Sequence, residues 1–277
     1  MENKSFFETL NPKTAVAVGI LAGVGVLSTL VCLVLGVMSV QGKISYVSNP
    51  VKKATNTAVQ TGNTTGGEIA VVKADKPVVE LFTMTYCPYG LQMQKAFLPV
   101  MELLKDKANL SIKFVSYAMH DKQEIDENNV QYCLQEEQDD KLIAYLKCFT
   151  VNGDSSSCLK ESKVNESKLN SCISATDKKF GITAAYNDKA SWLSGRYPIY
   201  PVDQTLNDQY GVQGSPTLVI NGAQVQSARS PEAVKQVVCA AFNEQPSECA
   251  QVLSTASASP SFGAGTGADT GSAECGT

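Results

Sequence analysis

A chain of 277 residues with a net charge of −4 holds one ordinary domain plus extensions, and it carries no electrostatic footprint for a nucleic-acid partner. The first element is apolar: the 29 residues between Lys13 and Lys43 carry no charge. As a helix rising about 1.5 Å per residue they exceed the roughly 30 Å hydrocarbon core of a bilayer. We expect a short tail at 1–14 and a single membrane anchor at 15–41. The run outlasts the roughly 7–15 apolar residues of a cleaved signal peptide, and no Ala-x-Ala site follows it. Lys4 and Lys13 on one side and Lys43, Lys52 and Lys53 on the other leave orientation undecided by charge.

Residues 42–68, rich in Thr, Asn and Gly, are expected to be a flexible linker, and 251–277, a Ser/Ala/Gly/Thr tract, a disordered tail, since neither has apolar surface to offset ordering entropy. The folded domain is expected at 69–250. Residues 77–85 predict a strand, and 89–107 a helix with apolar residues near helical spacing. Residues 110–118 predict a second strand, making a βαβ unit with parallel pairing. The turn between the first strand and the helix reads Tyr86-Cys87-Pro88-Tyr89-Gly90.

A helical insertion is expected at about 121–190. Val130, Leu134, Leu142, Tyr145, Leu146 and Phe149 share one face of a helix over 128–150, with Glu136, Glu137, Asp139 and Asp140 outside. A further helix is predicted at 167–180. Leaving aside Cys32 in the anchor, Cys275 in the tail and Cys87, six cysteines remain at 133, 148, 158, 172, 239 and 249, an even number that suits structural disulfides in an oxidising compartment. On one helix Cys133 and Cys148 stand about 22 Å apart, beyond the roughly 5.5 Å Cα spacing of a disulfide. A helical hairpin turning at 151–157 instead predicts Cys148–Cys158 inside Cys133–Cys172, with Cys239–Cys249 clipping the last helix. The cysteine spacings contain no Cys-x₂₋₄-Cys step, which argues against zinc.

Near the end of the domain, residues 214–220 read Gly-Ser-Pro-Thr-Leu-Val-Ile, followed by an Asn221-Gly222 hairpin signal, a returning strand at 223–226, and a helix to about 242 capped by Ser230-Pro231. His120, the only histidine, follows the second strand, and Trp192, Tyr197 and Tyr200 mark a wrapping loop expected to pack on the sheet.

The order of strand, Cys-Pro-Tyr-Gly, helix, strand, helical insertion, Ser-Pro before a strand, hairpin and final helix resembles the DsbA-type branch of the thioredoxin superfamily. The cysteine-bearing insertion is similar to that of gamma-interferon-inducible thiol reductases. The resemblance covers about 77–242 and implies a thioredoxin-like α/β fold, a central mixed sheet flanked by helices, with a disulfide-bonded helical insertion. It also implies that Cys87 is the reactive cysteine, that Pro216 is cis beside it, and that Tyr86, Pro88, Tyr89, Ser215 and Pro216 form the substrate-binding surface. The chain departs from the pattern in two places. Gly90 replaces the second cysteine, and Glu80 lies seven residues before Cys87 rather than six, which leaves open whether it points to the solvent face.

A sulfur at a helix N-terminus sits by unpaired backbone N–H groups and the positive end of the macrodipole, which favours the nucleophilic thiolate. Without a neighbouring cysteine, a mixed disulfide on Cys87 is resolved by a substrate thiol, by a small thiol, or by Cys133 or Cys275 of this chain. The expectation is a membrane-anchored, single-pass thiol–disulfide oxidoreductase or isomerase whose domain lies outside the cytoplasm. Its partners are expected to be extracytoplasmic proteins with thiols or disulfides, a small-thiol or membrane redox partner, and lipid at the anchor. No cofactor, metal or nucleic acid is expected. The alternative is a redox-inactive module that binds peptides at Ser215-Pro216.

Overall fold

The computed structural model describes residues 71–266. The expected anchor at 15–41, the linker at 42–68, and Cys32 and Cys275 lie outside them. The chain divides into two units, Met1–Thr64 and Thr65–Thr277, and the described residues belong to the second. Among the described residues no helix is long and apolar enough to cross a membrane.

Strand β1 (Val78–Thr83) lies between β2 (Asn109–Phe114), which pairs with it in parallel, and β3 (Thr217–Ile220), which is antiparallel. β4 (Ala223–Val225) closes the mixed sheet in the order β2-β1-β3-β4. The β3–β4 turn places Asn221 at φ 50° and Gly222 at φ 82°, the pair of positive φ values that a type I′ hairpin requires. Alternation along β1 sends Val79 and Leu81 into the main core, and Phe82 into a second, smaller cluster. Helix α1 (Pro88–Leu104) provides the crossover from β1 to β2 and packs against the C-terminal helix α8 (Pro231–Ala240). This is the thioredoxin-like α/β arrangement. Ser230 caps α8, its side chain accepting from Ala233 N. Ser230→Ala is therefore expected to lower unfolding free energy by about 1 kcal/mol, read as a fall in urea midpoint at unchanged slope.

The insertion contains α2 (Asp121–Glu137), α3 (Asp139–Asn152), α4 (Ser155–Glu161), α5 (Glu166–Phe180) and α6 (Ile182–Asn187). The single helix expected over 128–150 is thus two helices. The chain breaks at Gln138 (φ −146°, ψ 49°), whose side chain accepts from Asn165 N (2.8 Å) and donates to Asn165 O (3.2 Å), while Asp139 and Asp140 open the first turn of α3. With that break, the axial distance expected to separate Cys133 from Cys148 no longer applies. The structure contains Cys133–Cys172, joining α2 to α5, Cys148–Cys158, spanning the α3–α4 turn, and Cys239–Cys249, with Cα separations of 5.7, 5.5 and 5.9 Å. Gly153 at φ 70° ends α3, and Asp154 caps α4 by accepting from Ser157 N.

Helix α7 (Gln204–Tyr210), which periodicity did not predict, covers the edge of β2. Asp203 accepts from Phe114 N (2.9 Å), and Asn207 accepts from Ser116 N and donates to Phe114 O, so the outer backbone of β2 is paired by side chains. The expectation of a disordered tail from 251 is corrected for residues 251–266. Leu253 N donates to Glu232, Glu232 N to Ser254 O, and the chain then lies along α1. Hydrogen bonds from the domain supply the stabilisation that the tail's composition lacks.

Candidate active site

Cys87 caps α1 with extended backbone (φ −67°, ψ 123°), its own N–H donating to Met84 O, and Pro88 takes the first helical position, where a missing N–H costs no helical bond. The Cys87 thiol donates to Ser215 O at 3.6 Å, and the Ser215–Pro216 bond is cis. Cys87 is only 2% exposed. It belongs to a cluster with Phe82, Met84, Val115, Val212 and Val219, against which Tyr89, Tyr117 and Met119 pack. Tyr117 also donates its hydroxyl to Gln213 O (2.9 Å), tying the segment after β2 to the loop that carries Ser215. Thus β1, α1 and the loop before β3 bring Cys87, Ser215 and Pro216 together, though they are far apart in sequence.

Position 90 is closed by its surroundings. A Cβ on Gly90 meets Ser215 Oγ at 2.6 Å, Thr83 Oγ1 at 2.6 Å and Met84 O at 2.9 Å. Ser215 Oγ is itself engaged, accepting from Met84 N at 2.9 Å and lying 3.4 Å from Thr83 Oγ1. Two hydroxyls and a carbonyl therefore fill the space a second cysteine needs. Thr83 was not legible as part of the site, because a strand threonine carries no signal of which distant loop it meets.

Of the other expected substrate residues, Tyr86 is half-buried, with its ring 5.8 Å from Phe149 and 5.7 Å from Phe262, and Tyr89 lies under the Arg229 guanidinium at 4.7 Å. His120 bonds through Nδ1 to the buried Glu124 carboxylate, and its ring lies 6.3 Å from that of Tyr86. Cys133 is fully buried in its bridge to Cys172, which removes it as an in-chain resolving thiol. Glu80 does not lie on an open strand surface: it is 6% exposed, and its Oε2 has no hydrogen-bond partner among the described residues. Tyr200 is buried against Phe114 with its hydroxyl on Asn129, and Trp192 packs on Tyr186, so these two aromatics serve packing.

A buried polar network stands behind Tyr86. Glu127 on α2 accepts from Tyr145 Oη (2.8 and 2.9 Å) and from Gln131 Nε2 (2.8 Å), and Tyr145 Oη also meets Ser155 Oγ at 2.6 Å. Gln94 of α1 donates to Gln131, and Thr85 of the Cys87 turn donates to Asn128 (3.0 Å). Burial pushes the Glu127 carboxyl up to about 7 against the opposing hydrogen bonds. Tyr86 is raised by burial and then by the charges of Glu127, Asp126 and Glu124.

No protein-family model matches the chain, and no curated protein matches it. Among solved structures it is similar to oxidised DsbA from Mycobacterium tuberculosis, at 14% identity and TM-score 0.45, covering 65% of this chain and 92% of that one. The reduced form of DsbG, a disulfide bond oxidoreductase from the same organism, gives 13% identity and TM-score 0.43, covering 66% and 88%. Oxidised BdbD from Bacillus subtilis gives 17% identity and TM-score 0.39, covering 62% and 94%. At this similarity the fold rests on the topology and register described above, and that arrangement is thioredoxin-like.

Proposed function

We propose that the protein is a thiol–disulfide oxidoreductase or isomerase that works through the single cysteine Cys87 on protein substrates outside the cytoplasm, held to a membrane by residues 15–41. The observation that carries this reading is the Cys87 sulfur at the cap of a 17-residue helix, 3.6 Å from the Ser215 carbonyl. The Cys87 thiolate attacks one sulfur of a substrate disulfide. A Cys87–substrate disulfide forms, the substrate S–S bond breaks, and the other substrate sulfur leaves as a thiolate. A second substrate thiolate then attacks the substrate sulfur of that mixed disulfide and releases Cys87. This step isomerises with no net electron transfer. When two small thiols of the glutathione class act instead, the substrate disulfide is reduced and the small thiols are oxidised.

Closed packing at Gly90 supports resolution by an outside thiol, since a sulfur at that position has no room beside Cys87. The 2% exposure of Cys87 favours the alternative, a peptide-binding module at Ser215-Pro216 with an idle thiol. Incubation with glutathione disulfide followed by intact-mass and peptide analysis separates the two. The redox reading expects a glutathione adduct on Cys87, told apart by peptide analysis from any on Cys32 or Cys275 and removed by a substrate dithiol. An unmodified Cys87 under conditions where the native protein still binds peptide overturns it.

A further inference from the structure

Residues 256–266 contain one large side chain, Phe262, yet they are held along α1 beside the Cys87 turn. The contacts are mostly to main chain. The Lys95 ammonium bonds Ser261 O (3.0 Å), Gly263 O (2.9 Å) and Ser259 Oγ (3.2 Å), three uncharged oxygens. Gln92 Nε2 donates to Ala258 O at 2.7 Å, with the Gln92 carbonyl oriented by Arg229. In return Ser261 N donates to Pro88 O (3.1 Å) and Gly263 N to Thr150 O (3.2 Å). The Phe262 ring sits edge-on to Tyr86 and Phe149, at 5.7 and 5.4 Å, above Gly153, where an added Cβ comes within 3.2 Å of it. Burial lowers the Lys95 ammonium, which adds to the picture of a cation enclosed by peptide oxygens.

We propose that this face of α1 is a binding seat for a polypeptide turn bearing one aromatic residue, and that the chain's own segment 256–266, folded back on itself by the Ser259 N to Gly265 O bond and the Ala258–Thr266 bridge, occupies it in cis. Backbone-directed bonds accept many sequences, and the Tyr86–Phe149 pocket selects an aromatic anchor one residue from Cys87. The seat therefore takes turn-forming segments near a disulfide, and the cis segment keeps it filled until such a substrate displaces it. As a statement about substrates this rests on the redox reading, while the binding itself does not.

The test titrates a fluorescent peptide of residues 256–266, which contains no cysteine, into the full-length protein. A tethered segment competes at an effective concentration of about the millimolar range. The full-length Phe262→Ala variant is expected to bind the peptide at least tenfold more tightly than the parent. Ser261→Pro is expected to do the same without touching the aromatic pocket, because it removes the donor to Pro88 O at a residue with φ 63°, which proline cannot adopt. Adding Lys95→Met to Phe262→Ala, or replacing the peptide's own Phe, is expected to weaken binding at least tenfold. Equal affinity of parent, Phe262→Ala and Ser261→Pro overturns the proposal, as does indifference to the peptide's Phe. Repeating the titration in Cys87→Ser keeps the two readings apart: unchanged binding together with no glutathione adduct on Cys87 of the parent retires the redox reading and leaves the seat standing.

Discussion

Gly90→Ala is expected to lower the unfolding free energy by about 3 kcal/mol, the upper part of the range for forcing a methyl group into a packed interior. The cause is the surroundings rather than loss of backbone freedom, since Gly90 is helical and alanine is the better helix former. The added carbon comes within 2.6 Å of two hydroxyl oxygens and 2.9 Å of a backbone carbonyl. Ser215 cannot rotate away without giving up the hydrogen bond from Met84 N. Combining Gly90→Ala with Thr83→Ala or Ser215→Ala should therefore recover part of the loss, a coupling that double-mutant cycles in urea resolve. Gly90→Cys brings the same clash with a larger side chain. It is expected to be less stable than Gly90→Ala and to fail to form a bridge between Cys87 and the introduced thiol, as read by thiol counting and peptide mapping. A Gly90→Cys protein that is as stable as the parent and oxidises cleanly to that bridge would show that the site accommodates a dithiol and that closed packing is not what makes it single-cysteine.

The closure of position 90 marks the boundary of what was legible in the sequence. The turn 86–90, the Ser215-Pro216 segment and the Asn221-Gly222 hairpin announce themselves because local chemistry, an N1 proline and paired positive-φ residues, constrains a few adjacent positions. The six insertion and C-terminal cysteines were paired by asking which turns bring them within reach. By contrast, Thr83 and Ser215 meet across 132 positions of sequence, and nothing local to either foretells that contact. The polar residues Glu124, Glu127, Asn128 and Gln131 carry the periodicity signal of a wet helix face, yet all are buried, because their partners arrive from Tyr145, Thr85 and Gln94 on other elements. Segment 251–266 misled for the converse reason. Its composition has little to bury, and its order comes from donors such as Lys95 and Gln92 on α1.

Glu127→Gln is expected to abolish a pH dependence of stability worth about 3 kcal/mol. The Glu127 carboxyl is raised from 4.5 to about 7, so between those values the native state holds a proton that the unfolded chain has released. With more protons bound in the native state, stability falls as pH rises, by about 1.4 kcal/mol per unit. The contribution is fully present below about pH 4.5 and is lost by the time pH passes about 7. Glutamine retains an oxygen to accept from Tyr145 and Gln131 and adds a donor facing the same hydroxyls, but it has no charge to bury. The variant is therefore expected to match the parent within about 1 kcal/mol near pH 5 and to be the more stable protein at pH 8. Urea unfolding at pH 5, 6, 7 and 8 with all three disulfides intact measures the difference. A difference that stays constant over that range would mean Glu127 is ionised in the native protein throughout. If the difference grows as expected, a carboxyl that ionises near neutral pH lies behind Tyr145 and Phe149, whose rings stack at 6.0 Å, and Phe149 in turn meets Tyr86, the residue next to Cys87. Charging of Glu127 would then loosen first the packing against which the Cys87 turn is built.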